Sequence, residues 1–184
     1  MIIIICAIKL DSPGPAIFKQ TRTGQNRRRS YRVNGHNVER RNGHDLKGKP
    51  IEIYKFRTMR ADTNPYAVCP ENKHDSRITR VGRIIRPLCL DELPQLFNVI
   101  KGDLSLVGPR PEMFFIVKNY EALEAQRLLV KPGITGIWQL KGSRQEPIHK
   151  NLDYDLEYVR SRSIMLDLKI LMKTLWFIFS FRNA

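Results

Sequence analysis

The stretch LCLDELPQL, residues 88–96, sets two adjacent carboxylates, Asp91 and Glu92, among apolar residues just ahead of Pro94. Two readings compete for it. As local structure, Asp91 is the N-cap of a helix that tolerates Pro94 in its first turn and ends at Gly102. As chemistry, the pair is the reactive centre of a protein built to handle anions. The rest of the chain gives the second reading weight. Its 184 residues carry 32 Lys and Arg against 18 Asp and Glu, a net charge of +14. Such an excess calls for an anionic partner: nucleic acid, an acidic membrane surface or a phosphorylated substrate. Charge alone does not choose among the three.

The length suits one compact domain with a core of its own, and 42% hydrophobic residues exclude a disordered chain. The three cysteines, Cys6, Cys69 and Cys89, are scattered, as are His36, His44, His74 and His149. That spacing supports neither a zinc site nor a disulfide framework, and it is compatible with a reducing compartment.

Working outward, the opening run MIIIICAI is too short for a spanning helix and lacks the flanks of a signal peptide. It reads either as a buried strand or as part of a membrane-inserted segment. Ser-Pro-Gly-Pro at residues 12–15 forces a turn. Residues 21–49 are polar and Arg-rich, an exposed loop or hairpin with Tyr31 as its one aromatic, so base stacking on nucleic acid is poorly provided for. PIEIYKFRTM (50–59) alternates as a strand that delivers Lys55 and Arg57. Arg77, Arg80, Arg83 and Arg86 recur every third position, which on a helix makes one basic stripe, and for Arg80 and Arg83 a solvated face is the simplest reading. A helix is expected over Met113–Leu129, and VKPGITGIWQLKG (130–142) reads as turn, strand, turn. A last helical segment runs from Tyr154 to Phe181. Its second half is apolar nearly all round, broken only by Asp167, Lys169 and Lys173. Such a helix is either deeply buried or lies in a bilayer interface, with lysines snorkelling and Trp176 at headgroup depth.

The ordered set KLDSPGPAIFKQTRTG, IYKFRTM, RITRVGRIIR, LDELPQLFNVIKGDLSLVGPRPE and KPGITGIWQLKG resembles the bacterial sugar transferases, the monotopic polyprenyl-phosphate phosphoglycosyl transferases. Several motifs in order, over nearly the whole chain apart from residues 25–47, make this far more specific than one short pattern. The resemblance implies a single α/β domain, α+β-like in its short strands and interfacial helices, on the cytoplasmic face of the bacterial inner membrane. It implies transfer of a sugar-1-phosphate from a UDP-sugar to polyprenyl phosphate, with UMP leaving, as the step that starts an exopolysaccharide, capsule, O-antigen or glycoprotein glycan. Mg²⁺ is the implied cofactor and membrane lipid the implied surface, with no nucleic acid among the partners.

The family's Asp-Glu dyad matches Asp91 and Glu92. In that scheme Asp91 attacks the β-phosphate and becomes a phosphosugar-aspartate, while Glu92 helps to hold Mg²⁺. A carboxylate approaching a diphosphate meets like charge, which metal and cations must neutralise. The covalent step lets the polar donor leave before the lipid acceptor reacts. Mg²⁺ suits the task because it binds through one or two carboxylates plus substrate phosphates. Arg86 is a candidate phosphate grip, or else a partner for Glu92. Arg110, between two prolines, can present a bidentate fork to phosphate or to the uridine side, or is simply a loop arginine. Lys55 supplies a point charge, or is a solvated strand end.

Three departures from the family pattern set further expectations. Residues 1–10 read as a remnant of the re-entrant membrane helix. Pro87 and Cys89 precede the dyad where the family commonly carries a Lys-Thr-Ser-like run, so the dyad helix is expected to begin differently. The basic insertion at about residues 25–47 docks on anionic lipid or meets a partner. Two other functions stay open at this level: a basic nucleic-acid-binding module, whose affinity would fall steeply with salt and ignore Asp91, and a catalytically inactive, membrane-bound family member.

Overall fold

The computed structural model describes residues 1–26, 48–67, 70, 72, 74–141 and 152–180. The basic insertion lies, from residue 27 onward, outside the described residues. The chain opens with helix α1 (Ile2–Asp11), then pairs β1 (Ile17–Thr23) with β2 (Pro50–Phe56) in an antiparallel ribbon. Helix α2 (Arg80–Ile85), a 3₁₀ turn (Leu90–Glu92) and helix α3 (Gln95–Ile100) follow. A second, parallel pair joins β3 (Ser105–Val107) to β4 (Gly133–Thr135), with α4 (Phe114–Val117) and a 3₁₀ stretch (Glu124–Leu129) between them. Helices α5 (Ile137–Lys141), α6 (Leu152–Ser161) and α7 (Ile164–Phe179) complete the described chain. Short strands mixed with helices give the expected α/β character.

Alternation along the ribbon sorts its two faces. Phe18 lies opposite Lys55, Gln20 opposite Ile53 and Arg22 opposite Ile51, so these six side chains share one face. Ile51 and Ile53 anchor that face against Leu104, with Val99 and Ile134 packed around them. On the other face Phe56 is buried with Ile8, Ala16 and Ile85, tying the ribbon to α1 and α2. A third cluster, Val107, Val130, Ile137, Tyr158 and Ile170, packs the parallel pair against the C-terminal helices. Gly133 is dictated by close approach: a Cβ there would lie 2.1 Å from the backbone nitrogen of Gly108.

Several expectations are corrected. The opening run is a helix rather than a strand, and it buries Ile8 while Ile2, Ile3 and Leu10 stand exposed. Arg57, expected beside Lys55 at the strand end, is buried and donates to the carbonyls of Ser12 and Pro13, fastening the end of α1 to the ribbon. Of the expected basic stripe, Arg80 and Arg83 lie exposed on α2 and Arg86 is its C-cap, while Arg77 precedes the helix and pairs with Asp75. Residues 113–129 form two short helical pieces, and α5 follows β4 where a turn was expected. The C-terminal segment breaks at Arg162 and Ser163, where the Ser163 hydroxyl accepts from Leu166 N–H and starts α7 afresh. Helix α7 buries Ile170 but leaves Ile164, Met165, Met172 and Trp176 exposed, so it is not a deeply buried helix. No described helix is long and apolar enough to cross a membrane.

Candidate active site

Asp91 and Glu92 sit in a single 3₁₀ turn, so the expected N-cap role is corrected: no side-chain capping bond is made there, and the residue before α3 is Pro94. The cause is local. Pro94 has no N–H to give back to Leu90, whose carbonyl accepts from Leu93 instead, and the chain tightens to i→i+3 bonding before α3 begins. The turn is entered through Cys89 at φ 54°, a left-handed backbone for a residue with a Cβ. Thr79 caps the preceding α2 by accepting from Gly82 N–H. Gly102, at φ 77°, ends α3 as its sequence position implied.

Three of the five sequence candidates converge on one atom. Lys55 Nζ lies 2.6 Å from Glu92 Oε1, and Arg110 Nη2 lies 3.3 Å from the same oxygen. Lys55 comes from β2, Glu92 from the turn and Arg110 from the loop after β3. Arg86 donates to Thr58 Oγ1 at 3.5 Å, and its charge acts on Asp91. The ion pairs seen for Glu92 are those to Lys55 and Arg110 rather than the alternative pairing with Arg86.

Electrostatics separates the two carboxyls. Burial pushes Asp91 above the usual carboxylate range, reinforced by the Glu92 charge and opposed by Lys55, Arg86 and Arg110. Burial acts upward on Glu92 too, but there the two cations prevail and bring it down to about 2. One member of the pair is thus firmly an anion, while burial disfavours the charged form of its neighbour.

Residues that sequence reasoning missed hold these groups in place. Asn98, fully buried, accepts from Tyr54 N–H and donates to the Glu52 carbonyl, filling the free edge of β2 beside Lys55. Arg127, also buried, donates to the Arg110 carbonyl at 2.7 Å and to Tyr120 Oη at 2.6 Å. It pairs with Asp155 at 2.6 Å and with Glu112 at 3.7 Å. Burial raises Asp155 to about 6, against the pull of Arg127. The Arg110 guanidinium stands 5.7 Å from the Trp138 ring centre. A cleft opens on the ribbon face described above, with Lys55 and Arg110 both in its lining.

Among the described residues, no group of three or more His, Cys, Asp or Glu side chains is placed to form a metal cage. Glu92 touches the cleft-lining Lys55 and Arg110 and stands next to Asp91, and two adjacent carboxylates are a donor set that could hold Mg²⁺ together with substrate phosphates.

A family model described as bacterial sugar transferase matches residues 1–181. The chain belongs to the bacterial sugar transferase family. The UDP-glucose:undecaprenyl-phosphate glucose-1-phosphate transferase of Klebsiella pneumoniae is 39% identical over 184 residues, covering 96% of this chain and 35% of that protein. The protein of the same name from Caulobacter vibrioides is 37% identical over 192 residues, covering 100% of this chain and 64% of its own length. An exopolysaccharide production protein of Rhizobium leguminosarum is 37% identical over 186 residues, at 95% and 82% coverage. The chain therefore spans about a third of the Klebsiella relative, from the 35% coverage, and more of the shorter ones.

Proposed function

We propose that this chain carries the catalytic machinery of a polyprenyl-phosphate phosphoglycosyl transferase. It moves a sugar-1-phosphate from a UDP-sugar to polyprenyl phosphate, with UDP-glucose, named in the relatives' titles, as the first donor to test. The observation that carries the reading is the contrast within the dyad: a poorly solvated Asp91 beside a Glu92 that gathers two cations.

An Asp91 carboxylate oxygen attacks the β-phosphorus of the donor. The new O–P bond forms as the bridging P–O bond breaks, and UMP departs with that electron pair. Lys55 and Arg110 meet the diphosphate charge, and Arg86 adds to the field that keeps Asp91 deprotonated for attack. A phosphate oxygen of the polyprenyl acceptor then attacks the same phosphorus, the Asp91–phosphorus bond breaks, and free carboxylate returns. Glu92, with Asp91 beside it, would hold Mg²⁺, which supplies Lewis-acid stabilisation to the phosphoryl oxygens when bound. The exposed apolar faces of α1 and α7 support attachment at a membrane interface, where the acceptor resides. The cytoplasmic face is the side that suits a nucleotide donor.

The test is UMP release by detergent-solubilised protein given a panel of UDP-sugars and Mg²⁺, with and without polyprenyl phosphate. Acceptor-dependent turnover with one or two donors supports the reading. Absence of turnover from folded, membrane-reconstituted protein contradicts it.

A further inference from the structure

Glu92 is contacted by Arg110, and Arg110 in turn by a buried arginine from further along the chain. The Arg110 carbonyl accepts from Arg127 Nη2 at 2.7 Å, and the same nitrogen lies 2.6 Å from Asp155 Oδ2 on α6. The other terminal nitrogen of Arg127 donates to Tyr120 Oη at 2.6 Å. Arg127 is 2% exposed and Asp155 3%. One planar fork thus joins α6 to the loop that carries a dyad contact.

That loop is tied down on both sides of Arg110. Gly108 N–H donates to the Thr135 carbonyl, the Pro109 carbonyl accepts from Gly133 N–H, and the Glu112 carbonyl accepts from Thr23 N–H. These three ties are backbone to backbone and do not depend on which side chains are present. Prolines at 109 and 111 fix φ on either side of Arg110 and restrict the residue before each. So stiff a segment turns as a unit, and its guanidinium turns with it. The tie at the Arg110 carbonyl is made instead by a side chain, Arg127.

Stability alone does not account for such a group. A buried ion-pair network is commonly no better than well-packed apolar residues of similar volume, although removing one partner is costly. What apolar residues cannot supply is a donor aimed at a backbone carbonyl. Lysine is a poor substitute too, offering a single nitrogen on a mobile stem where Arg127 uses two in a fixed plane.

We propose that Arg127, aimed by Asp155, is a positioning residue for the transfer: it sets the orientation of Arg110 toward the diphosphate and takes no part in the bond changes. This rests on the transferase reading above. It makes α6, which does not line the cleft, part of what fixes the donor.

The experiment measures kcat/KM for UMP release by the full chain, using the UDP-sugar it turns over. Arg127→Lys and Asp155→Asn are each placed on wild type and on Arg110→Ala, with every variant checked by its melting curve. On wild type, Arg127→Lys is expected to lower kcat/KM by about tenfold or more and Asp155→Asn to lower it less. On Arg110→Ala neither change has a further effect, because the group being positioned is gone. A merely structural role predicts the same fold-loss on both backgrounds, and that result overturns the proposal. So does full activity in a folded Arg127→Lys. Hydrogen exchange reads the same point without turnover. In Arg127→Lys the amides of residues 108–112 are expected to exchange about tenfold faster while those of β2 keep their rates. Equal acceleration in both places, or none in either, contradicts the positioning role. A wild type that releases no UMP from any UDP-sugar, while the exchange result holds, overturns the transferase reading and leaves the tie between Arg127 and Arg110 standing.

Discussion

Lys55 Nζ lies 2.6 Å from Glu92 Oε1, a contact that joins the central ribbon to the 3₁₀ turn and aligns the dyad with the cleft. Arg110 reaches the same oxygen from the loop after β3, so one carboxylate contacts two cations.

That contact has a pH signature. Glu92 falls from an ordinary 4.5 to about 2 in the fold. A carboxyl depressed on folding contributes stability that is present above pH 4.5 and is lost as pH falls toward 2. The shift corresponds to about 3 kcal/mol. Glu92→Gln is therefore expected to unfold at lower urea than wild type at pH 7, with the gap closing near pH 2.5. An equal gap at both pH values would show that the loss is steric rather than ionic.

Asp91→Asn separates chemistry from structure. The side chain caps no helix, and burial disfavours its charge, so a neutral isostere costs no stability and can add a little. UMP release is expected to fall by about 10³-fold or more while the melting temperature holds or rises. Full activity in the folded variant would exclude the nucleophile role.

Asn98→Leu tests the support beneath Lys55. The change keeps the branching but strips two part-buried backbone groups, Tyr54 N–H and the Glu52 carbonyl, of their partner. A loss of about 2–4 kcal/mol is expected in denaturant unfolding. A loss below about 0.5 kcal/mol would mean that water reaches the edge of β2 and replaces the amide.

The Arg127 network behaves as a unit. Arg127→Leu leaves Asp155 buried without its cation and Glu112 with Arg22 in place of two cations, and is expected to cost about 3–5 kcal/mol. Adding Asp155→Leu should recover part of that loss, which a double-mutant cycle measures. Asp155 itself is raised from 3.8 to about 6 by burial, so the folded state favours its protonated form. Its contribution to wild-type stability declines as pH rises through that window. Asp155→Asn should remove the pH dependence between 4 and 6, and an unchanged slope would assign it to another group.

Much of the site was legible before the fold. The LDELPQL and GPRPE stretches carried the dyad and Arg110, and alternation in PIEIYKF placed Lys55 on a strand. The strand assignment held because alternation is a local property that tertiary packing rarely reverses. The helix expected at Asp91 did not form, since whether Pro94 sits inside a first turn or resets it depends on i→i+3 bonding that composition does not reveal. The long helix over residues 113–129 broke into short pieces around Arg127, whose buried partners come from Glu112 and from α6. Long-range pairing of that kind leaves no periodic trace. Arg57 was grouped with Lys55 by proximity in sequence, yet one step past the strand it turned toward the carbonyls ending α1.

The most direct test of the account is to look for the covalent intermediate. The protein would be incubated with UDP-glucose and Mg²⁺ in the absence of polyprenyl phosphate, quenched rapidly and analysed by intact-mass and peptide mass spectrometry. The account predicts an added hexose phosphate on the peptide containing Asp91, absent in Asp91→Asn and discharged when polyprenyl phosphate is supplied before the quench. Acceptor-dependent UMP release with no adduct at any time, and an Asp91→Asn variant that still turns over, would contradict it.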